Sequence, residues 1–199
     1  MKVRVISDKL PIEFVKIHKA AFKDFFLTSL GDRFLSLYYK SVLKSSRSIV
    51  LSLEDDENSV IGFAVGTLVS MGFHKNIIIR NFFRFSLVFI LILFTKPKSI
   101  IRLFKNINKR SDKVSDEGLY AELLSIAVLP EYNGIGYGKL LLTAFEEEVK
   151  KNNTDLIALT TDFYSNEEVV CFYKNKGYEI FYDFTTYPNR RMYKLIKKL

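Results

Sequence analysis

Three glycines on alternate positions, Gly134, Gly136 and Gly138, stand between an alternating apolar run and a helical one. The run before them, Leu119 to Val128, has the two-residue period of a strand. After them Leu141, Phe145 and Val149 share one helical face, with Glu146, Glu147, Glu148, Lys150 and Lys151 mostly off it. Strand, glycine-rich turn and helix together build an anion site from backbone alone. Glycine admits left-handed conformations and close approach of a ligand. The free N–H groups and the dipole of a helix start then attract phosphate.

Two familiar phosphate loops do not fit. A P-loop places four residues between Gly and Gly-Lys and then Ser or Thr; here three separate Gly134 from Gly138-Lys139, and Leu140 follows. The dinucleotide fingerprint GxGxxG would need glycine at the position of Lys139. A tight turn without a ligand is the plain alternative, and the strand before it and the helix after it favour phosphate.

The chain of 199 residues is 48% hydrophobic with 18 Phe and 11 Tyr, which suits one domain with a full core and excludes a disordered chain. Its one cysteine, Cys171, excludes an internal disulfide and a multi-Cys metal site, and its apolar helical setting predicts a buried thiol. His18 and His74 are the only histidines, a poor supply for a triad or a zinc site, so no metal is expected. The N-terminal stretch alternates like a strand and lacks an apolar signal core, which predicts a cytoplasmic protein.

Read in order, the chain opens with a strand at 2–7, and Ser7 or Asp8 is placed to cap a helix carrying Phe14, Ile17 and Ala21. A break at Gly31 precedes a second helix from about Asp32. Apolar segments at 47–54 and 60–71 flank DDENS, a hairpin turn signal, and Gly62 and Gly66 thin one face of the second. Later come a strand at 155–161, a short helix at 166–176 closed by Gly177, and two strands at 178–186 and 191–196.

Positive charge is concentrated between these halves. Residues 72–115 hold ten Lys/Arg and one Asp, a net +9, so the rest of the chain carries about −1 of the total +8. Within this segment FSLVFILILF (85–94) is too short to cross a bilayer. Pro97 opens an amphipathic pattern with Lys98, Arg102, Lys105 and Lys109 against Ile100, Ile101, Phe104 and Ile107. A helical hairpin is expected. It would cover the active site, form a homodimer, or rest on a membrane surface through residues 73–110. Nucleic acid is not expected, because these basic residues are interleaved with aliphatics rather than stacking aromatics.

Three stretches together, LLSIAVLPEYNGIGYGKLLL (123–142), NEEVVCFYKNKGYE (166–179) and RRMYKLI (190–196), resemble the GNAT N-acetyltransferases, and the order of elements outside 73–117 does so as well. The resemblance implies an α/β fold: a mixed, mostly antiparallel sheet of about seven strands flanked by helices. It makes residues 1–199 a single domain, with a helical insertion at about 73–117 between the third and fourth strands. It implies acetyl-CoA as acyl donor and direct transfer to a primary amine of a small molecule, amino sugar or peptide in a ternary complex. Carried over by position, Ile126, Ala127 and Val128 would meet pantetheine through their backbone. Asn133, Gly134, Ile135, Gly136, Tyr137, Gly138 and Lys139 would hold the pyrophosphate, with Asn133 replacing the family's usual Gln or Arg, and Asn166 would bond the pantetheine arm. Tyr173 is placed to protonate the departing sulfur, and Glu122 to accept the amine proton. The plain alternatives are a packed aromatic for Tyr173 and a solvent-facing acid for Glu122. Phe22, Phe25, Phe26, Phe34 and Tyr38 would wall the acceptor groove. A non-catalytic acyl-CoA-binding module of the same fold is the competing reading, and a peripheral membrane protein another.

Overall fold

The computed structural model describes residues 1–95 and 116–199. In chain order it contains β1 (Lys2–Val5), α1 (Glu13–Ala21), α2 (Phe26–Ser29), α3 (Asp32–Leu43), β2 (Ser48–Glu54) and β3 (Val60–Thr67). Then come α4 (Phe73–Arg80), α5 (Phe82–Thr95), β4 (Ala121–Val128), α6 (Tyr137–Lys151), β5 (Leu156–Asp162), α7 (Glu167–Lys174), β6 (Glu179–Thr186) and β7 (Arg190–Lys198). The strands form one seven-stranded sheet in the order β1-β2-β3-β4-β5-β7-β6. Every described pairing is antiparallel except β4 with β5. This is the predicted α/β architecture.

The two-residue period of the strands divides the core between the faces of the sheet. Val50, Phe63 and Val65 turn toward α1 and α3, where they meet Phe14, Ile17, Leu35 and Tyr39. Ile49, Leu51 and Ala64, offset by one, turn toward Leu141, Leu142, Phe145 and Val149 of α6. The DDENS turn closes as its residues dictate: Asp55 Oδ1 accepts from the backbone N–H of Glu57 and Ser59, and Asn58 takes φ +61°. Neither Ser7 nor Asp8 caps α1. The helix begins five residues beyond Asp8, where the carbonyl of Pro11 receives the N–H of Phe14 and Glu13 supplies the negative charge of the first turn.

α4 and α5 fall between β3 and β4, joined at a bend of 92°. α5 packs through one stripe only. Phe85 and Ile92 are buried, Val88 and Phe89 partly so, and the ring of Phe34 on α3 lies 5.9 Å from Phe85 and 6.2 Å from Phe89. The predicted amphipathic arm at 98–109 lies outside the described residues.

One glycine sets how closely α6 approaches the sheet. The β3–β4 register passes from Val65↔Ser125 to Gly66↔Leu123, which leaves Leu124 as an extra residue on β4. A Cβ on Gly66 would lie 2.2 Å from the ring of Phe145 and 2.4 Å from the carbonyl oxygen of Glu122. Replacing Gly66 by Ala is therefore expected to cost about 1–3 kcal/mol of unfolding free energy, as overpacked cores do. Urea denaturation measures it; an unchanged midpoint would show that Phe145 withdraws without penalty.

Candidate active site

β4 and β5 pair at three positions, Ala121↔Ile157, Glu122↔Ala158 and Leu123↔Leu159, and then part. Beyond them β4 stays with β3 as far as Val128, and β5 stays with β7 as far as Asp162. The extra residue Leu124 sits where the strands separate, as expected of a bulge that bends one strand away. A cleft of about 590 Å³ occupies the wedge. Leu124, Ser125 and Ile126 line one side of it and Thr160, Thr161 and Asp162 the other.

At the end of β4 the chain makes a short 3-10 turn, Pro130–Tyr132, and enters the glycine loop. Gly134 and Gly136 adopt φ +79° and +94°, and a Cβ on Gly134, Gly136 or Gly138 would meet no atom within 4 Å. The loop is exposed, and Gly136 leads directly into α6, whose first N–H groups have no intrahelical partner. Both ingredients of a backbone phosphate cradle are present: left-handed glycines with open space over them, and a helix start of full length. A second hollow, lined by Ile126, Ala127, Val128, Pro130 and Asn133, shares Ala21, Phe25 and Ile126 with the main cleft and so joins loop to wedge.

The structure brings two other predicted residues to the same cleft. Asn166, at the start of α7, lines it, with its Nδ2 donating to Thr161 Oγ1 at 2.7 Å and to the carbonyl of Asp162 at 3.0 Å. Tyr173, one face of α7 further on, also lines it and is 7% exposed. Burial pushes the Tyr173 phenol well above its ordinary value, so it holds its proton at any ordinary pH. Of the predicted aromatic wall, Phe22, Phe25 and Phe26 line the cleft, while Phe34 and Tyr38 are core. Cys171 is exposed rather than buried: the apolar face of α7 that carries Tyr173 inward turns the thiol out.

Glu122 is on β4 but not among the residues lining the cleft. It is buried, not solvent-facing: Lys194 Nζ of β7 donates to Oε1 and Ser70 Oγ to Oε2. Burial alone would raise its pKa, yet the Lys194 ammonium and the Ser70 hydroxyl together bring it below the ordinary carboxylate value. The pair spans β5, which lies between β4 and β7 in the sheet. Sequence reasoning missed Lys194, 72 residues away, and it missed Arg190 and His18 in the cleft. Arg190 bonds both oxygens of Asp162 at 2.5 Å and stacks 4.6 Å from the ring centre of Phe25. The basic dipeptide Arg190-Arg191 that opens the last strand was the sequence signal for that pair.

Glu122 has a folded-state pKa below its unfolded value of about 4.5, so it contributes stability above that pH and loses it as pH falls through the folded value. Glu122→Gln is expected to cost about 3–5 kcal/mol at neutral pH by leaving the Lys194 charge buried and unpaired. It is also expected to flatten the acid limb of stability below pH 4.5. Chemical denaturation at several pH values measures both; an acid limb as steep as the wild type's would assign it to other carboxylates.

Residues 13–178 match the Acetyltransferase (GNAT) family, and the chain belongs to that family. No curated protein sequence matches it. Solved structures share the fold at low identity. The ribosomal-protein-S18-alanine N-acetyltransferase from Escherichia coli aligns over 99% of this chain and 94% of its own, with 14% identity and a TM-score of 0.60. The aminoglycoside 6'-acetyltransferase type Ii aligns over 100% and 97%, with 13% identity and a TM-score of 0.61. A GNAT family acetyltransferase from Elizabethkingia anophelis, solved with acetyl-CoA bound, aligns over 100% and 97%, with 14% identity and a TM-score of 0.57.

Proposed function

We propose that the chain is an acetyl-CoA-dependent N-acetyltransferase that passes the acetyl group directly to a primary amine of a small molecule, amino sugar or peptide. The observation that carries this reading is the parting of β4 from β5 beside an exposed glycine loop, so that loop and wedge form one continuous site. The β5-facing backbone of Ile126, Ala127 and Val128 has no strand partner among the described residues and is free to pair with an extended amide-bearing arm. Residues 133–139 offer backbone N–H groups to a pyrophosphate, with Lys139 exposed beside them, and Asn166 stands across the wedge from β4. Bound there, acetyl-CoA supplies an activated acyl group on sulfur.

Tyr173 holds the proton that a departing thiolate needs. Its high pKa keeps it protonated until that charge develops. Glu122 fastens β4 to β7 at the level where β4 is about to leave β5. Phe22, Phe25 and Phe26 form the acceptor wall, and the Arg190–Asp162 pair its polar rim. Direct transfer is favoured because the exposed Cys171 is not in the cleft lining.

Isothermal titration with acetyl-CoA tests the site. Binding is expected in the wild type and at least a tenfold loss in Gly136→Asp, which strains a φ of +94° and places a carboxylate against the phosphates. Tyr173→Phe is expected to bind normally and to lower thiol release with a panel of primary amines about 100-fold. No binding by the wild type at millimolar acetyl-CoA would sink the reading.

A second reading rests on α5. Apart from Arg84, Ser86 and Thr95 it is apolar, yet Phe83 and Phe94 are more than 80% exposed, and Leu87, Ile90, Leu91 and Leu93 are exposed beside them. The same sequence segment carries the net +9. We propose that this apolar surface, with the exposed Lys75, Arg80 and Arg84 of α4 and α5, rests on an anionic lipid surface, where the acceptor would be presented. Among the described residues no single helix is long and apolar enough to cross a membrane. Sedimentation with phosphatidylglycerol vesicles is expected, at least fivefold less with phosphatidylcholine vesicles, and lost in a Leu87→Glu, Phe94→Glu double variant. Equal recovery with both lipids would count against it.

A further inference from the structure

We propose that His18 is a catalytic residue of this cleft, its Nε2 taking the proton from the acceptor amine as the nitrogen attacks. The proposal rests on the acetyltransferase reading above. His18 sits on α1 and lines the cleft together with Ser125, Ile126 and Tyr173, although it is only 3% exposed. Its Nδ1 lies 2.7 Å from the hydroxyl of Tyr39 on α3. That hydroxyl in turn donates to Ser125 Oγ on β4, 3.3 Å away. A phenol has one proton. In the Nδ1–H tautomer that the proposal requires, Nδ1 of His18 donates to Tyr39, the phenol proton goes to Ser125, and Nε2 is a bare lone pair.

That nitrogen is buried and has no hydrogen-bond partner among the described residues. An unsatisfied buried polar group destabilises a fold, a cost that a leucine at this position would avoid. A lone pair kept dry on a cleft-lining side chain is explained by a ligand that donates to it. The charged or titratable groups facing it are few. Tyr39 holds its ring from α3, the ring of Phe22 packs 4.9 Å away, and the cleft's remaining ionisable groups are Tyr173 and the Asp162–Arg190 pair, which are bound to each other. Burial lowers the His18 pKa to about 4, so the imidazole is neutral and its lone pair available throughout the range in which an amine acceptor is used.

The step balances. The amine lone pair forms the N–C bond to the acyl carbon, and the C–S electron pair leaves to sulfur. Sulfur takes the proton of the Tyr173 hydroxyl, and the nitrogen gives its proton to His18 Nε2. Solvent then returns a proton to the Tyr173 oxygen and removes one from the imidazolium, for no net change. A weakly basic imidazole suffices, because a nitrogen bonded to the acyl carbon is cationic and far more acidic than a free ammonium ion. Glu122, held by Lys194 and Ser70 outside the cleft lining, is not placed to do this.

Nitrogen-15 NMR of the histidine-labelled wild type decides the geometry without any acceptor. The neutral Nδ1–H tautomer is expected for His18, persisting down to about pH 4; an Nε2–H tautomer cannot accept a proton and would overturn the proposal. His18→Asn keeps an N–H to offer Tyr39 and lacks the second nitrogen. It is expected to melt and to bind acetyl-CoA as the wild type does, while thiol release, with water or phenethylamine as acceptor, falls about 100-fold or more. Unchanged thiol release with both acceptors would also overturn it. Failure of the wild type to bind acetyl-CoA is a different result, which removes the acetyltransferase reading and leaves the tautomer measurement standing.

Discussion

The separation of β4 from β5 after Leu123 is the constraint on which the rest of the molecule depends. A sheet gains by pairing every strand along its length, and here a parallel pair is abandoned after three positions. The strands part where Leu124 is the extra residue opposite Gly66. The missing side chain of Gly66 lets Phe145 press against the sheet from the other face. Helix packing on one face thus holds the bend that opens the wedge, and the wedge exposes backbone that an incoming strand-like ligand can use.

The polar groups around this opening divide into two sets with different duties. Glu122 and Lys194 lie buried in the sheet, paired with each other and with Ser70 beyond the end of β3, and tie together the strands on either side of β5. His18, Tyr39 and Ser125 form a chain across α1, α3 and β4 that ends in an unsatisfied nitrogen. A closed set rigidifies; an open one is available for chemistry. Tyr173 belongs with the second, since it lines the cleft with its proton retained.

Local pattern made much of this legible. The period of Leu119 to Val128, the glycines, and the face of Leu141, Phe145 and Val149 depend only on neighbours in sequence, and the structure forms them as β4, the loop and α6. Long-range partnerships left no trace. Glu122 reads as a strand-edge acid until Lys194 arrives from the far end of the chain. His18 reads as one of two scattered histidines until α3 and β4 surround it. Cys171 misled because an apolar helix has two faces and only Tyr173 turns fully inward. The helix start was displaced because the carbonyl of Pro11 did what the Ser7 or Asp8 side chain was expected to do.

The outward turn of Cys171 gives the molecule a single addressable thiol. It is the one cysteine of the chain, and it sits on α7, whose start holds Asn166 and whose inner face holds Tyr173. A spin label or fluorophore attached there would ride on the helix that walls the cleft without entering the cleft itself. Motion of that wall relative to the rest of the sheet therefore becomes observable in solution from one modification, with no engineered position.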